Sequence, residues 1–344
     1  MAPWIVPVLA ILVGFVALLW SADRLVIGAS STARGLGVSP RIIGLTIVAF
    51  GTSAPELVVS TIAAFEGNIG LSVGNAIGSN IINVALVLGV AALIQPLTVA
   101  PDLPRRDIPI LLIAVIVAYA LMWDGRLGRF DGIVLFAGMS WMIYDQVSSG
   151  LRERRESLPP GAQSIAPSSV SLASAVAPRM GVSRALVWLI VGLVVLTLSS
   201  RLLVWGADHL ARLFEVSDLI IGLTVVALGT SLPELAASVA SALRGEHDIA
   251  LGNVVGSNIF NIFAVLGVPA LFAPGHFDRI CILRDFPVML GLTLMLLVFT
   301  WRRMDTKGQL SRRSALIFLS CFLAYTGFLM TNPSVSVEFV QDLG

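Results

Sequence analysis

The stretch "GTSAPEL" occupies residues 51–57, and "GTSLPEL" returns at 229–235, each inside a long apolar segment. Across residues 42–65 and 219–243 the only charged side chains are Glu56 and Glu234. A carboxylate in hydrocarbon costs on the order of several kcal/mol, and such residues mark ion or substrate pathways. The bland reading is a protonated structural glutamate; retention in both copies favours the functional one. Beside each glutamate stands a proline, Pro55 or Pro233, which lacks an N–H and so strips the carbonyl four residues earlier of its partner. Freed carbonyls at membrane depth are tolerated only where they face protein or a polar cavity. A simple proline kink would not need the adjacent Glu, Thr and Ser.

The surrounding chain supports a membrane setting. Of 344 residues, 56% are hydrophobic and only 12% charged, with a mean hydropathy of +0.91. Soluble domains carry about 25% charged residues. Uncharged runs such as Trp4–Ala22, Gly67–Pro101 and Ala185–Ser200 match the ~20 residues that a bilayer crossing needs. The N-terminal run has no basic leader, so it reads as a spanning helix and not as a signal peptide. The net charge of +1 argues against a nucleic-acid partner. Cys281 and Cys321 form no framework and read as packing residues.

Shifted by 178 residues, Gly44–Leu93 aligns without a gap on Gly222–Leu271, with 27 of 50 positions identical. The match extends upstream through Gly28-Ala29 and Gly206-Ala207. Hydropathy gives ten spans, at 3–23, 40–65, 69–96, 106–123, 130–148, 184–204, 218–243, 248–273, 286–301 and 314–332. Five spans per half is odd, so the halves enter the membrane with opposite orientation, as in secondary transporters whose sites lie between inverted repeats. The expected fold is therefore an all-α polytopic membrane protein: ten transmembrane helices in two inverted-topology five-helix repeats, with broken helices at the ion site. The repeats are 1–150 and 184–344, joined by a Pro/Ser/Ala-rich linker, 151–183, that reads as a flexible cytoplasmic tether. With the N-terminus outside, Arg and Lys divide sixteen inside to six outside, as the positive-inside rule requires.

The span after each glutamate carries a second pattern, "GNAIGSNIINVALVLGV" (74–90) and "GNVVGSNIFNIFAVLGV" (252–268). Asn75, Ser79 and Asn83 recur every fourth residue on one helix face, and Asn253, Ser257 and Asn261 repeat them. Gly70, Gly74 and Gly78 form a ridge suited to close backbone approach. Interhelical amide bonding is the bland alternative. Taken together, the polar stripes and two carboxylates form an oxygen-rich shell suited to Ca²⁺ or Na⁺, with the carbonyls of Thr52 and Thr230 as further donors. No Cys or His falls in these segments, which argues against zinc or copper. The three histidines, His209, His247 and His276, lie near span ends.

At these residues the sequence resembles the cation/calcium exchanger superfamily, in its sodium/calcium exchanger branch. The resemblance implies that Glu56, Glu234 and the carbonyls of Thr52 and Thr230 hold Ca²⁺. It implies sodium or ion-shell positions at Ala49, Ser53, Ser79, Asn83, Ala227, Ser231, Ser257 and Asn261. Some members carry Asp where this chain has Asn261, and Asn there resembles potassium-independent exchangers. The implied protein is a prokaryotic calcium/sodium antiporter of the inner or plasma membrane. Its substrates are Ca²⁺ and Na⁺, and no cofactor, enzymatic activity or obligate protein partner is expected. Proton-coupled calcium antiport and a passive cation channel are the alternatives. An intramembrane enzyme is disfavoured by the lack of HExxH, Ser–His or nucleotide-loop motifs.

Overall fold

Residues 3–156, 180–214, 227–301 and 308–331 are described in a computed structural model of the chain. The first half runs through α1 (Ile5–Leu36), α2 (Pro40–Thr52), α3 (Ala54–Phe65), α4 (Ile69–Ile94), α5 (Ile108–Leu121) and α6 (Arg129–Glu156). The second runs through α7 (Val182–Leu213), α8 (Ala227–Thr230), α9 (Leu232–Leu243), α10 (His247–Phe272), α11 (Cys281–Trp301) and α12 (Arg312–Thr331). The 178-residue offset survives in detail: α3 maps onto α9 residue for residue. Widened π-helical turns recur at Asn83–Val87 and Asn261–Val265, and again at Leu103–Asp107 and Cys281–Asp285. Such turns often occur at functional sites.

Among the described residues, six helices are long and apolar enough to cross a membrane: α1, α4, α7, α10, α11 and α12. Counting the bent pair α2–α3 as one broken span gives up to seven. The remaining expected spans fall short for identifiable reasons. α5 has 14 residues and follows a π turn containing Arg105, Arg106 and Asp107. α6 carries Asp131 and Asp145 among its apolar residues. The expected span 218–243 begins in residues 215–226, which lie outside the described residues, as does most of the 151–183 linker. α1 and α7 are 32 residues each, longer than the 3–23 and 184–204 windows. Large apolar side chains stay exposed along both, including Leu12, Val16, Val187 and Ile190, as expected of helices solvated by hydrocarbon.

Glycine sets how these two helices cross. A Cβ on Gly28 would sit 2.4 Å from the Leu189 nitrogen, and one on Gly206 2.7 Å from the Pro7 carbonyl. Gly14 and Gly192, also 178 residues apart, make the same kind of approach to Leu203 and Leu25. The α1–α7 pair is thus clamped backbone to backbone. A second set of close approaches seats α10 on α2, where Cβ atoms at Gly252 and Gly256 would meet the Arg41 and Leu45 carbonyls at 2.8 and 2.5 Å.

The fold is all-helical, and among the described residues it is supplemented by four two-residue strands. β1 (Leu97–Thr98) pairs antiparallel with β4 (Gln309–Leu310), and β2 (Arg126–Leu127) with β3 (Gly275–His276). Each ladder joins one repeat to the other. They satisfy backbone groups where the chain leaves a helix, which is costly to leave undone near hydrocarbon. The larger apolar core gathers α4, α5, α10, α11 and α12, while a smaller one joins α1, α7 and α9.

Candidate ion-binding site

Each "GTS-x-PE" block breaks its helix at the serine. α2 and α3 meet at 44° across Ser53. Ser53 has φ −86° and ψ 6°, and Ser231 has φ −90° and ψ 6° between α8 and α9. The Leu57 and Leu235 N–H groups bond the Ser53 and Ser231 carbonyls at 3.2 and 3.0 Å, so the helix resumes at once. Pro55 and Pro233 leave the Gly51 and Gly229 carbonyls without the usual donor. In the second repeat Ser200 of α7 fills the gap, its Oγ donating to the Gly229 carbonyl at 3.0 Å. The equivalent position in the first repeat is Ala22, which has no hydroxyl.

Both glutamates lie in the first turn of their helices, Glu56 in α3 and Glu234 in α9, and both are fully buried. A helix N-terminus carries partial positive charge, which favours a carboxylate there. Asn75 Nδ2 donates to the Glu56 carbonyl at 3.1 Å and to Ser60 Oγ at 2.8 Å. Asn253 Nδ2 does the same to the Glu234 carbonyl at 3.4 Å and Ser238 Oγ at 3.0 Å. The glutamate turns are thereby tied to α4 and α10.

The repeats meet at the carboxylates. Ser53 Oγ donates to Glu234 Oε1 at 2.8 Å, and Ser257 Oγ reaches the same oxygen at 3.5 Å. Thr52 Oγ1 donates to Asn253 Oδ1 at 3.1 Å and lies 3.4 Å from Ser257 Oγ. Asn80 and Asn258 donate to each other's backbone carbonyls at 3.3 Å, and Asn261 Nδ2 donates to Asn80 Oδ1 at 3.1 Å.

Ala49, Thr52, Ser53, Ser79, Asn83, Ser231, Ser257 and Asn261 are all buried. Thr230 ends α8 and is partly buried, and Ala227 begins that helix. Several buried polar atoms here have no hydrogen-bond partner: both oxygens of Glu56, Oε2 of Glu234, Ser231 Oγ, Oδ1 and Nδ2 of Asn83, and Oδ1 of Asn258 and Asn261. Nearly all are acceptors. Unpaired buried polar atoms are rare in folded proteins, and a concentration of oxygens is what a hard cation would satisfy. No cluster of three or more His, Cys, Asp or Glu occurs among the described residues, so neutral oxygens must complete any such shell.

This arrangement has close relatives. The chain matches the sodium/calcium exchanger protein family over residues 6–144 and 184–331. It belongs to that family. The inner membrane protein YrbG of Escherichia coli (strain K12) is 42% identical over 330 residues, covering 95% of this chain and 98% of that protein. The sodium/calcium exchanger MaX1 of Methanosarcina acetivorans is 30% identical, covering 92% and 96% respectively. Among solved structures, the sodium-calcium exchanger NCX_Mj soaked with zero Na⁺ and Ca²⁺ superposes with a TM-score of 0.78 and 33% identity. That match covers 94% of this chain and 99% of the other. The exchanger fold thus extends over both halves.

Three features of the site escaped the sequence pattern. Asn80 and Asn258 sit one residue beyond the Ser79 and Ser257 stripe, so periodicity passed over them, although both repeats spell "GSN". Ser60 and Ser238 likewise recur at the 178-residue offset. Ser200 has no counterpart in the first repeat, and no sequence signal marks it.

Proposed function

We propose that this exchanger-family protein is a secondary antiporter that moves Ca²⁺ against Na⁺ by alternating access. The observation that carries the reading is a pair of fully buried glutamates, one per repeat, with three of their four carboxylate oxygens unpartnered. Two carboxylates match the charge of one divalent ion, and Ca²⁺ accepts about 6–8 oxygens. In this reading Glu56, Glu234 and the carbonyls of Thr52 and Thr230 hold Ca²⁺. Ala49, Ser53, Ser79 and Asn83, with Ala227, Ser231, Ser257 and Asn261, supply the remaining shell and the sodium positions.

The same reading arranges the chain as ten spans in two inverted five-helix repeats, 1–150 and 184–344, with the N-terminus outside and the 151–183 linker cytoplasmic. It is supported by the odd number of spans per repeat and the excess of basic residues on one side.

The test is calcium uptake into proteoliposomes with and without an outward sodium gradient. Uptake should need the gradient and stop when it is collapsed. Uptake driven by an outward proton gradient and indifferent to Na⁺ would instead establish proton coupling. Calcium flux with no counter-ion at all would establish a channel.

A further inference from the structure

α1 reaches the turn between α9 and α10 through two ion pairs. Arg244 Nε donates to Asp23 Oδ1 at 2.6 Å, and Arg34 Nη1 to Glu246 Oε1 at 3.2 Å. Alongside them α1 packs lengthwise on α9, covering Ala236 and Ala237 within the smaller apolar core.

The 178-residue offset carries α1 onto α7 and α9 onto α3. It carries Asp23 onto Arg201 and Arg244 onto Glu66. The charges are exchanged, yet the pair remains complementary. The supporting turn is also the same, with left-handed Gly67 (φ 87°) matching Gly245 (φ 74°). This second contact is not made in the structure. α7 scarcely touches α3, and Val58 and Ile62, the counterparts of Ala236 and Ala240, are 44% and 51% exposed. Glu66 and Arg201 are both exposed and, among the described residues, form no ion pair. Two contacts related by the repeat therefore stand in opposite states.

We propose that Glu66 and Arg201 form the closing ion pair of the alternative access state, replacing Asp23–Arg244 as α1 and α7 shift together across the remaining helices. The proposal rests on the exchange reading for its purpose. Its geometry follows from the repeat. The glycine clamp makes α1 and α7 one unit, because neither backbone leaves the other room to slide separately. Arg34–Glu246 has no counterpart pair, since the offset gives Arg212 and Asn68, and Arg212 is bonded to Asp208 of its own helix at 3.1 Å. The observed state is thus held by two ion pairs and the alternative by one.

Labelling of a cysteine at position 62 tests this without requiring transport. In a Cys281→Ala/Cys321→Ala background, Ile62→Cys is exposed to a membrane-impermeant maleimide in proteoliposomes. Arg201→Glu or Glu66→Arg should each speed labelling by less than about twofold, since an exposed pair is weak and its loss adds only to a state that already predominates. The combined Glu66→Arg/Arg201→Glu protein should return to the original rate, and Arg244→Glu should slow labelling. Oxidation of a Glu66→Cys/Arg201→Cys protein should arrest exchange, with recovery on reduction. Unchanged labelling in the single variants, no recovery in the double, or no labelling in any variant would overturn the proposal. A failure of these results with sodium-driven uptake intact would leave the transport reading standing.

Discussion

Glu56→Gln separates the charge of the site from its shape. The side chain is fully buried and neither oxygen accepts a hydrogen bond, so the amide replaces the carboxylate without losing a protein partner. Two unit charges about 4 Å apart at an effective dielectric of about 20 interact by roughly 4 kcal/mol, and a divalent ion doubles that to roughly 8. The amide dipole returns part of this. A net loss of about 4 kcal/mol corresponds to about a thousandfold weaker Ca²⁺ binding. The loss for monovalent Na⁺ is about half as large in free energy. Thermal unfolding of purified protein reads both halves of the argument. At a calcium concentration 100 times its Kd, the parent protein gains about 2.7 kcal/mol, and the variant should gain almost nothing at that concentration. In ion-free buffer the variant should melt at or above the parent temperature, because it no longer buries an uncompensated charge. Glu234→Gln should likewise abolish calcium exchange. An undiminished calcium-dependent stabilisation, or exchange at the parental rate in either variant, would refute the two-carboxylate site.

Further outcomes are expected elsewhere. Ser200→Ala strands the Gly229 carbonyl and should lower stability by roughly 1–3 kcal/mol in thermal unfolding, whereas a merely peripheral serine would leave the melting temperature unchanged. Arg41 pairs with Asp107, and both are almost wholly buried; Arg41→Leu should cost about 3–5 kcal/mol, much of it recovered in Arg41→Leu/Asp107→Leu. Gly256→Ala would drive a Cβ to 2.5 Å from the Leu45 carbonyl and should cost about 1–3 kcal/mol while weakening calcium binding, since Ser257 moves with it. Protons and Ca²⁺ compete for the same carboxylates, so calcium uptake should fall from neutral to mildly acidic pH and recover at higher calcium; a flat profile would contradict the competition.

The duplication and the two glutamates were legible because each leaves a local mark: an ungapped repeat, and a charge with a proline in an apolar run. The polar stripes were legible for the same reason, as i, i+4 periodicity. What escaped depends on partners distant in sequence. Ser200 is one serine among several on α7 until the fold sets it against Gly229. Asp23–Arg244 and Arg41–Asp107 join residues separated by 221 and 66 positions. The helices run past the expected spans because hydropathy windows stop at charges such as Arg24, while α1 continues to Leu36 with Leu25, Val26, Ala29 and Ala33 buried in the smaller core. The glycine ridge of the first repeat was expected at Gly70, Gly74 and Gly78. The tight contacts of this kind fall on the matching ridge of α10, at Gly252 and Gly256, while Gly70 meets only the Asn68 side chain at 3.7 Å and a Cβ on Gly78 would meet nothing within 4 Å. The partner of Gly256 is Leu45, and its counterpart at position 223 lies outside the described residues.

The central claim is that one divalent cation is shared by glutamates from both repeats. Long-wavelength anomalous diffraction from crystals soaked in Ca²⁺ tests it most directly. The account predicts one calcium peak inside the membrane region, with an oxygen of Glu56 and an oxygen of Glu234 each about 2.3–2.6 Å away. A peak bound by only one of the two glutamates, or none there at saturating calcium, would contradict it.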